Sequence, residues 1–405
     1  MRPACLFLLA VLFCGARAQE PVSGNACANA EALLPNPRDA RGLEAYVDSI
    51  HPQLGYAFRF QAGYRVQLPL NQLAGGTNLI RVLTRVAAAD GSGAPVCLLQ
   101  TASLPEVPAG LKESLWLSGG FFLGEGRYLV DVTVTDRSER AYRKRLILNA
   151  ALGRRERRVK LEVGPGVVQP FGLLAWEPRH ATETTRRSRM TVLFNAASLT
   201  GSRIHLNVFN QVLLLSSLST VLAECGFDDI RLVAFNLDQQ RELFRQDHLD
   251  ATGFRKLLQT VLSLNLSVVP ITALKPEAER FEMLESLVRA ELSSQEPADA
   301  ILFLGPYQRD EFRWRSLPCE SGSSGPPLFY FQHRVNWAYQ TWRTGFGPEY
   351  ESPVPVRPLE IPDTLERLVH ACSGEVLRVH DPEELATAIL KLKDRAGTAR
   401  AAHVQ

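Results

Sequence analysis

The residues of this chain that could do chemistry gather first in one short loop. Asn195-Ala196-Ala197-Ser198-Leu199-Thr200-Gly201-Ser202 follows directly on the apolar run Met190 to Phe194 and offers one amide and three hydroxyls. Such oxygens can ligate a hard cation, and a serine beside a base can act as a nucleophile. The loop is poorly equipped for either task. It has no carboxylate to offset the dehydration of a divalent ion, and Ser198 lies outside the G-x-S-x-G turn that presents a serine nucleophile. Ser323, within Ser321-Gly322-Ser323-Ser324-Gly325, has no strand-to-helix pattern around it and reads as linker. His180, His205, His248, His333, His370 and His380 show no metal-ligand spacing. Asp247, His248 and Asp250 read as a solvated turn, and Asp310 and Glu311 beside Arg309 as surface charge. No glycine loop suited to phosphate is present. We therefore assign no catalytic residue and expect neither metal nor cofactor. Paired carboxylates of the glycosidase kind stay open, because their pairing is spatial.

A second stretch offers recognition rather than catalysis. Gly305 to Pro327 is long for a loop in a compact domain, and it carries Tyr307, Phe312, Arg313, Trp314 and Arg315. Trp337, Tyr339 and Trp342 follow the next apolar run. Aromatic side chains mixed with arginine anchor protein interfaces, although the same types fill cores. These five residues form the candidate interface.

Both stretches hang on elements whose period can be read. Met190–Phe194, Ile230–Phe235, Ala300–Leu304, Leu328–Phe331 and Glu375–Val379 are short apolar runs suited to strands buried on both faces. Between them lie helical patterns at Ile204–Cys225, Thr252–Leu262, Pro276–Leu292, Asp363–Cys372 and from Asp381 to about Lys393. Arg241–Arg245 reads as an edge strand. Strands alternating with helices predict a doubly wound, mostly parallel α/β sheet, whose ligands sit at the loops after the strands.

The first half has a different period. Tyr56–Phe60, Tyr64–Leu68, Leu79–Val86, Tyr128–Thr135 and Tyr142–Leu148 are short alternating runs separated by Gly, Asp and Ser, and they predict an all-β sandwich. Gly119–Tyr128 resembles the entry to a late strand of an immunoglobulin-like module. Arg154-Arg155-Glu156-Arg157-Arg158-Val159-Lys160 could grip an anionic polymer or lipid headgroups; a solvated strand edge or linker is the simpler reading.

Met1-Arg2-Pro3, the apolar run Ala4–Cys14 and Ala16-Arg17-Ala18 form a secretory signal pattern with cleavage expected after Ala18. Losing Arg2 and Arg17 would bring the formal charge of +2 to neutrality, which offers no general pull toward nucleic acid. No membrane span is expected in the mature chain, and a secreted or periplasmic location follows. Cys27, Cys97, Cys225, Cys319 and Cys372 form no C-x-x-C pair; export could oxidise one or two pairs and leave at least one thiol over, with buried single thiols the favoured reading. The division is a signal peptide 1–18, a leader 19–42, a sandwich 43–165, a linker 166–188, an α/β domain 189–395 and a tail 396–405.

Three landmarks give residues 189 to about 393 a resemblance to von Willebrand factor type A domains, and to the exported VWFA-related proteins of soil bacteria. They are Val192–Leu199, Asp299–Pro306 and Ser373–Leu385. The resemblance implies a metal-dependent adhesion site, yet here Asn195 stands at the first aspartate, Ala197 and Leu199 at the two serines, and Gly305 at the later aspartate. The implied site is degenerate and any partner must be held without a bridging ion. The expected function is non-enzymatic contact with a protein or envelope partner; the alternative is a hydrolase acting on an extracellular polymer, with the sandwich as accessory module.

Overall fold

The computed structural model describes residues 15–16, 19–22, 27, 42–74, 78–171, 176–178, 188–197, 208–237, 239–264, 282–294, 296–307, 325–334 and 363–404. In the first half, β1 (Gly15–Ala16, within the stretch expected to be cleaved), β2 (Glu20–Val22), β5 (Asn78–Ala88), β6 (Val96–Leu104), β8 (Gly126–Thr135) and β9 (Ala141–Ala150) form one antiparallel sheet. A second antiparallel sheet takes β3 (Tyr46–Leu54), β4 (Phe60–Pro69), β7 (Ser114–Leu123) and β10 (Val168–Pro170). Alternation explains their packing. Tyr128, Val130, Val132 and Val134 of β8 are fully buried, as are Ala62, Tyr64, Val66 and Leu68 of β4, and all join one apolar cluster. Each such valine or leucine contributes about 1.5–3 kcal/mol through burial. Gly119 makes room for one of them, since a Cβ there would meet Tyr64 Oη at 2.3 Å.

The segment ahead of the first long strand is tied in. Glu20–Val22 pairs with β6, and a disulfide joins Cys27 to Cys97 across 70 residues of sequence. Cys372 is disulfide-bonded too, whereas the Cys225 thiol is buried and lies 3.6 Å from the Leu222 carbonyl. The expectation of buried single thiols therefore holds for Cys225 and is corrected at Cys27, Cys97 and Cys372. Cys97→Ala is expected to lower stability by about 2–4 kcal/mol, because the bridge constrains a long loop of the unfolded chain. Urea titration with and without reductant checks this; an unchanged midpoint would show that the bridge contributes nothing.

The third sheet comprises β11 (Arg189–Asn195), β12 (Asp229–Asn236), β13 (Arg241–Gln246), β14 (Ala300–Pro306), β15 (Leu328–His333) and β16 (Glu375–Val379), in the order β13-β12-β11-β14-β15-β16. Helices α1 (Val208–Glu224), α2 (Ala251–Leu262), α3 (Glu282–Leu292), α4 (Thr364–Ala371) and α5 (Pro382–Val404) cover it. Side-chain alternation sorts them by face. Val192, Phe194, Leu302 and Phe331 pack with Leu218 of α1, Phe254 of α2 and Ile389 of α5. Leu193, Val233, Phe303 and Tyr330 pack with Leu284 and Val288 of α3 and Leu368 of α4.

The expectation of a doubly wound, mostly parallel α/β fold of the von Willebrand A type, entered through a sandwich, is corrected by this architecture. Strand outweighs helix, two of the three sheets are antiparallel throughout, and the third closes with the antiparallel pair β12–β13. Parallel pairing is confined to β12-β11-β14-β15-β16. The physical reason lies in the first half, where strands of nine to eleven residues joined by tight turns pair with their neighbours head to tail. The halves also share a core. Thr220 Oγ1 of α1 donates to the Tyr56 carbonyl at 2.8 Å, and the Tyr56 ring meets His333 edge-on at 5.4 Å. The basic run is a 3-10 turn at Glu156–Arg158, not a strand; the turn contacts α5, and Val159 is buried in the large apolar cluster.

Candidate functional site at the mouth of the parallel sheet

The carboxyl ends of β11, β12, β14 and β15 open on one rim, and three of the four sequence-picked metal-site positions fall there. Asn195 ends β11 and is buried; its Oδ1 accepts the Leu237 amide at 3.2 Å, and its Nδ2 has no acceptor among the described residues. Ala197 is buried, and Leu199 lies outside the described residues. Gly305 faces Asn195 so closely that a Cβ would stand 2.8 Å from the Asn195 Cβ. The neighbouring Asn236 donates from Nδ2 to the Ala196 carbonyl at 2.7 Å and accepts the Gln239 amide at 2.8 Å. The amide oxygens on this rim are thus spent on tying the β11 and β12 exits together. No carboxylate stands at Asn195, Ala197 or Gly305, and among the described residues no group of three or more His, Cys, Asp or Glu gathers to hold a metal. The donor set present does not fit a hard divalent cation, which wants charged oxygens.

A polar network on the α4 side of the same rim escaped the sequence reading. Asp363 caps α4, accepting the Leu365 amide at 2.8 Å. The same carboxylate takes Tyr330 Oη at 3.0 Å and Gln332 Nε2 at 2.8 Å. Burial, reinforced by the Asp363 carboxylate, pushes the Tyr330 phenol well above its usual range, so it serves as a fixed donor. Gln332 Oε1 in turn accepts Arg334 Nε at 2.7 Å, and the Arg334 guanidinium lies 4.9 Å from the centre of the Tyr307 ring. Tyr307 is also held by its amide, which donates to the His333 carbonyl at 2.9 Å. Tyr307 and Arg334 are half-buried, so each keeps an open side. The only legible hint of this network was Asp363 ahead of a helical pattern, the mark of a cap.

Of the five sequence-picked interface residues, the structure places Tyr307 on this rim; Phe312, Arg313, Trp314 and Arg315 lie outside the described residues. The remaining candidates are dispersed. Asp247 pairs with Arg231 at 2.9 Å, His248 Nδ1 meets Asp229 at 2.8 Å, and Asp250 caps α2 through the Gly253 amide at 2.6 Å. These three are therefore engaged separately. His380 Nδ1 contacts Glu384 at 2.8 Å at the start of α5. Asp363 and Glu366 share Gln332 Nε2 and invite comparison with a catalytic carboxylate pair. Asp363 has no exposed surface and its oxygens are occupied, while Glu366 is paired with Arg378 at 3.2 Å. Asp363 is therefore closed off from any substrate, so the two do not form an open carboxylate pair.

No family model matches the chain, and no curated protein matches it. Solved structures are similar only distantly. ApaA from Bordetella pertussis is 10% identical over 28% of this chain and 99% of its own, with a TM-score of 0.20. β-Glucuronidase 2 from Bacteroides uniformis is 11% identical over 76% of this chain and 38% of its own, with a TM-score of 0.21. A glycosyl hydrolase family 2 member from Bacteroides cellulosilyticus is 9% identical over 75% and 38%, with a TM-score of 0.19. Likeness at that level carries no conclusion about activity. Among the described residues, no helix is long and apolar enough to cross a membrane.

Proposed function

We propose that this chain is an exported, non-enzymatic protein that binds a protein or envelope partner through the rim around Tyr307 and Arg334. The observation that carries the reading is the Tyr307–Arg334 stack at 4.9 Å, braced from behind by Gln332 and Asp363. Tyrosine and arginine dominate interface energetics when they are held rigid, because little side-chain entropy is then lost on binding. The support behind them is buried and bonded, and the residues in front are half-open. Export to the periplasm or beyond is supported by the apolar leader and by the Cys27–Cys97 bridge, since disulfides persist in oxidising compartments. Near-neutral charge argues against nucleic acid as the partner.

The test is capture from the native envelope by immobilised protein. Tyr307→Ala and Arg334→Glu are each expected to weaken retention of the captured partner at least tenfold, with the melting temperature within a few degrees of wild type. Retention that survives both substitutions would remove this rim from consideration.

A further inference from the structure

A second surface lies on the sandwich and does not depend on the Tyr307–Arg334 reading. In the register of β3, β4 and β7, Tyr46, Gln67 and Trp116 form one row across the sheet. Asp48, Arg65 and Ser118 form the next row on the same face. Paired residues on neighbouring strands point to the same side, and the row between these two, Val47, Val66 and Leu117, lies in the core. The Tyr46 row therefore faces away from the core. Tyr46 is 61% exposed, the most of any large apolar side chain among the described residues, and Trp116 is 41% exposed. Single apolar side chains scattered on a surface need no explanation. Two aromatic rings in one cross-strand row, with an amide between them, do.

The sheet itself sets the spacing. Neighbouring strands stand about 4.8 Å apart, so the backbones that carry the two rings are about 10 Å apart. Between them Gln67 Nε2 donates to Ser114 Oγ at 3.2 Å. The Arg65 guanidinium lies 5.8 Å from the centre of the Trp116 ring, and Asp48 Oδ1 accepts the Ser49 amide at 2.8 Å. Further along the strands the same face is closed. Phe171 packs edge-on against Phe122 at 4.6 Å and fills the space that a Cβ at Gly120 would need, while the Gly120 amide donates to Gln19 Oε1 at 2.9 Å. What stays open is a flat strip in which rings alternate with hydrogen-bonding groups.

That alternation decides the occupant. The centre of a protein interface is a contiguous apolar patch depleted of charge. Here each ring has an amide, a guanidinium, a carboxylate or a hydroxyl beside it on the face. A pyranose ring matches such a strip, because the C–H groups of one face lie against an aromatic ring while the hydroxyls around its edge both donate and accept. Asp48 and Arg65 are the charged residues of the two rows and offset each other, so the strip offers no pull to a polyanion.

We propose that the outer face of this sheet binds a neutral, extended oligosaccharide, with one sugar ring on Tyr46, another on Trp116, and the hydroxyls between them hydrogen-bonded by Gln67 and Arg65. The rings supply apolar contact at little cost in side-chain entropy, and the amide and guanidinium fix the orientation of the chain. The site recognises its ligand and breaks no bond in it.

Isothermal titration calorimetry of the full chain with cellohexaose tests it, with glucose as the single-ring control. Cellohexaose is expected to bind, and glucose to bind at least about tenfold more weakly because it can cover one aromatic ring at a time. Tyr46→Ala and Trp116→Ala are each expected to weaken cellohexaose binding about tenfold or more, with the melting temperature close to that of the wild type because both rings are exposed. Tyr46→Phe and Trp116→Phe keep a ring in place and are expected to retain most of the affinity. Tyr307→Ala is expected to leave cellohexaose binding unchanged, which separates this face from the rim. Absent binding, glucose bound as tightly as the hexamer, or alanine variants that bind like the wild type would each overturn the proposal. So would an envelope protein captured through Trp116 with no affinity for the glycan, because the face would then be a protein interface.

Discussion

His333→Leu yields a protein that resists acid better than the wild type, with most of the difference appearing as the pH falls below about 6.5. His333 ends β15 with both ring nitrogens buried and, among the described residues, without hydrogen-bond partners, its ring against Tyr56. Burial makes the charged form costly and pulls its pKa from 6.5 to about 3. The unfolded chain takes up this proton near pH 6.5, whereas the folded chain refuses it until about pH 3. Stability is therefore complete above the unfolded value and is lost as the pH drops between the two. At pH 5 the loss from this one group is about 2 kcal/mol, and near pH 3 it reaches about 4–5 kcal/mol. Leucine has no proton to take up and removes two unsatisfied nitrogens, so it also gains about 1–3 kcal/mol at neutral pH. Urea titrations of both proteins from pH 7.5 to 4 check the claim. Carboxylates titrate alike in the two, so the difference isolates the imidazole; parallel stability curves would sink the idea.

His333 also shows where sequence reasoning stops. It could be named among the histidines and found without ligand spacing, but nothing in the sequence says that Tyr56, far away in the chain, closes over it. The periodic elements were legible because their signals are local. Glu375–Val379 is the strand that its β-branched, apolar run predicts, and Asp363 and Asp381 cap the helices they precede. The class of the whole chain was not legible in the same way. The buried apolar runs of the second half point to a parallel sheet, but the long antiparallel strands of the first half outweigh them in the chain as a whole. The disulfide between Cys27 and Cys97 joins residues from unrelated patterns, and a long spacing carries no signal of its own. The Gln332–Arg334–Tyr307 chain is legible only after β14 and β15 are laid side by side, because strand pairing alone brings Tyr307 to the end of β15.

Introducing an aspartate at position 305 is expected to break the protein without creating a metal site. In Gly305→Asp the new Cβ would stand 2.8 Å from the Asn195 Cβ and 2.9 Å from the Asn195 carbonyl oxygen. Both belong to residue 195, at the end of the parallel strand beside β14, so the clash cannot be relieved by turning a flexible side-chain end. Overpacking of this kind costs about 1–3 kcal/mol, and a buried, unpaired carboxylate adds about 3–5 kcal/mol. The variant should therefore lose about 4 kcal/mol or more, while Gly305→Ala, which adds the clash without the charge, loses only the first part. Magnesium does not rescue it. Ala197 offers no side-chain oxygen, and Asn195 Oδ1 is already committed to the Leu237 amide, so one carboxylate would have to hold the ion almost alone. Thermal denaturation of wild type, Gly305→Ala and Gly305→Asp, each with and without millimolar magnesium, measures both claims. A Gly305→Asp protein that melts like the wild type, or that is restored by the ion, would mean that the rim opens far enough to admit ligands, and that Asn195 and Gly305 are parts of a working cation site.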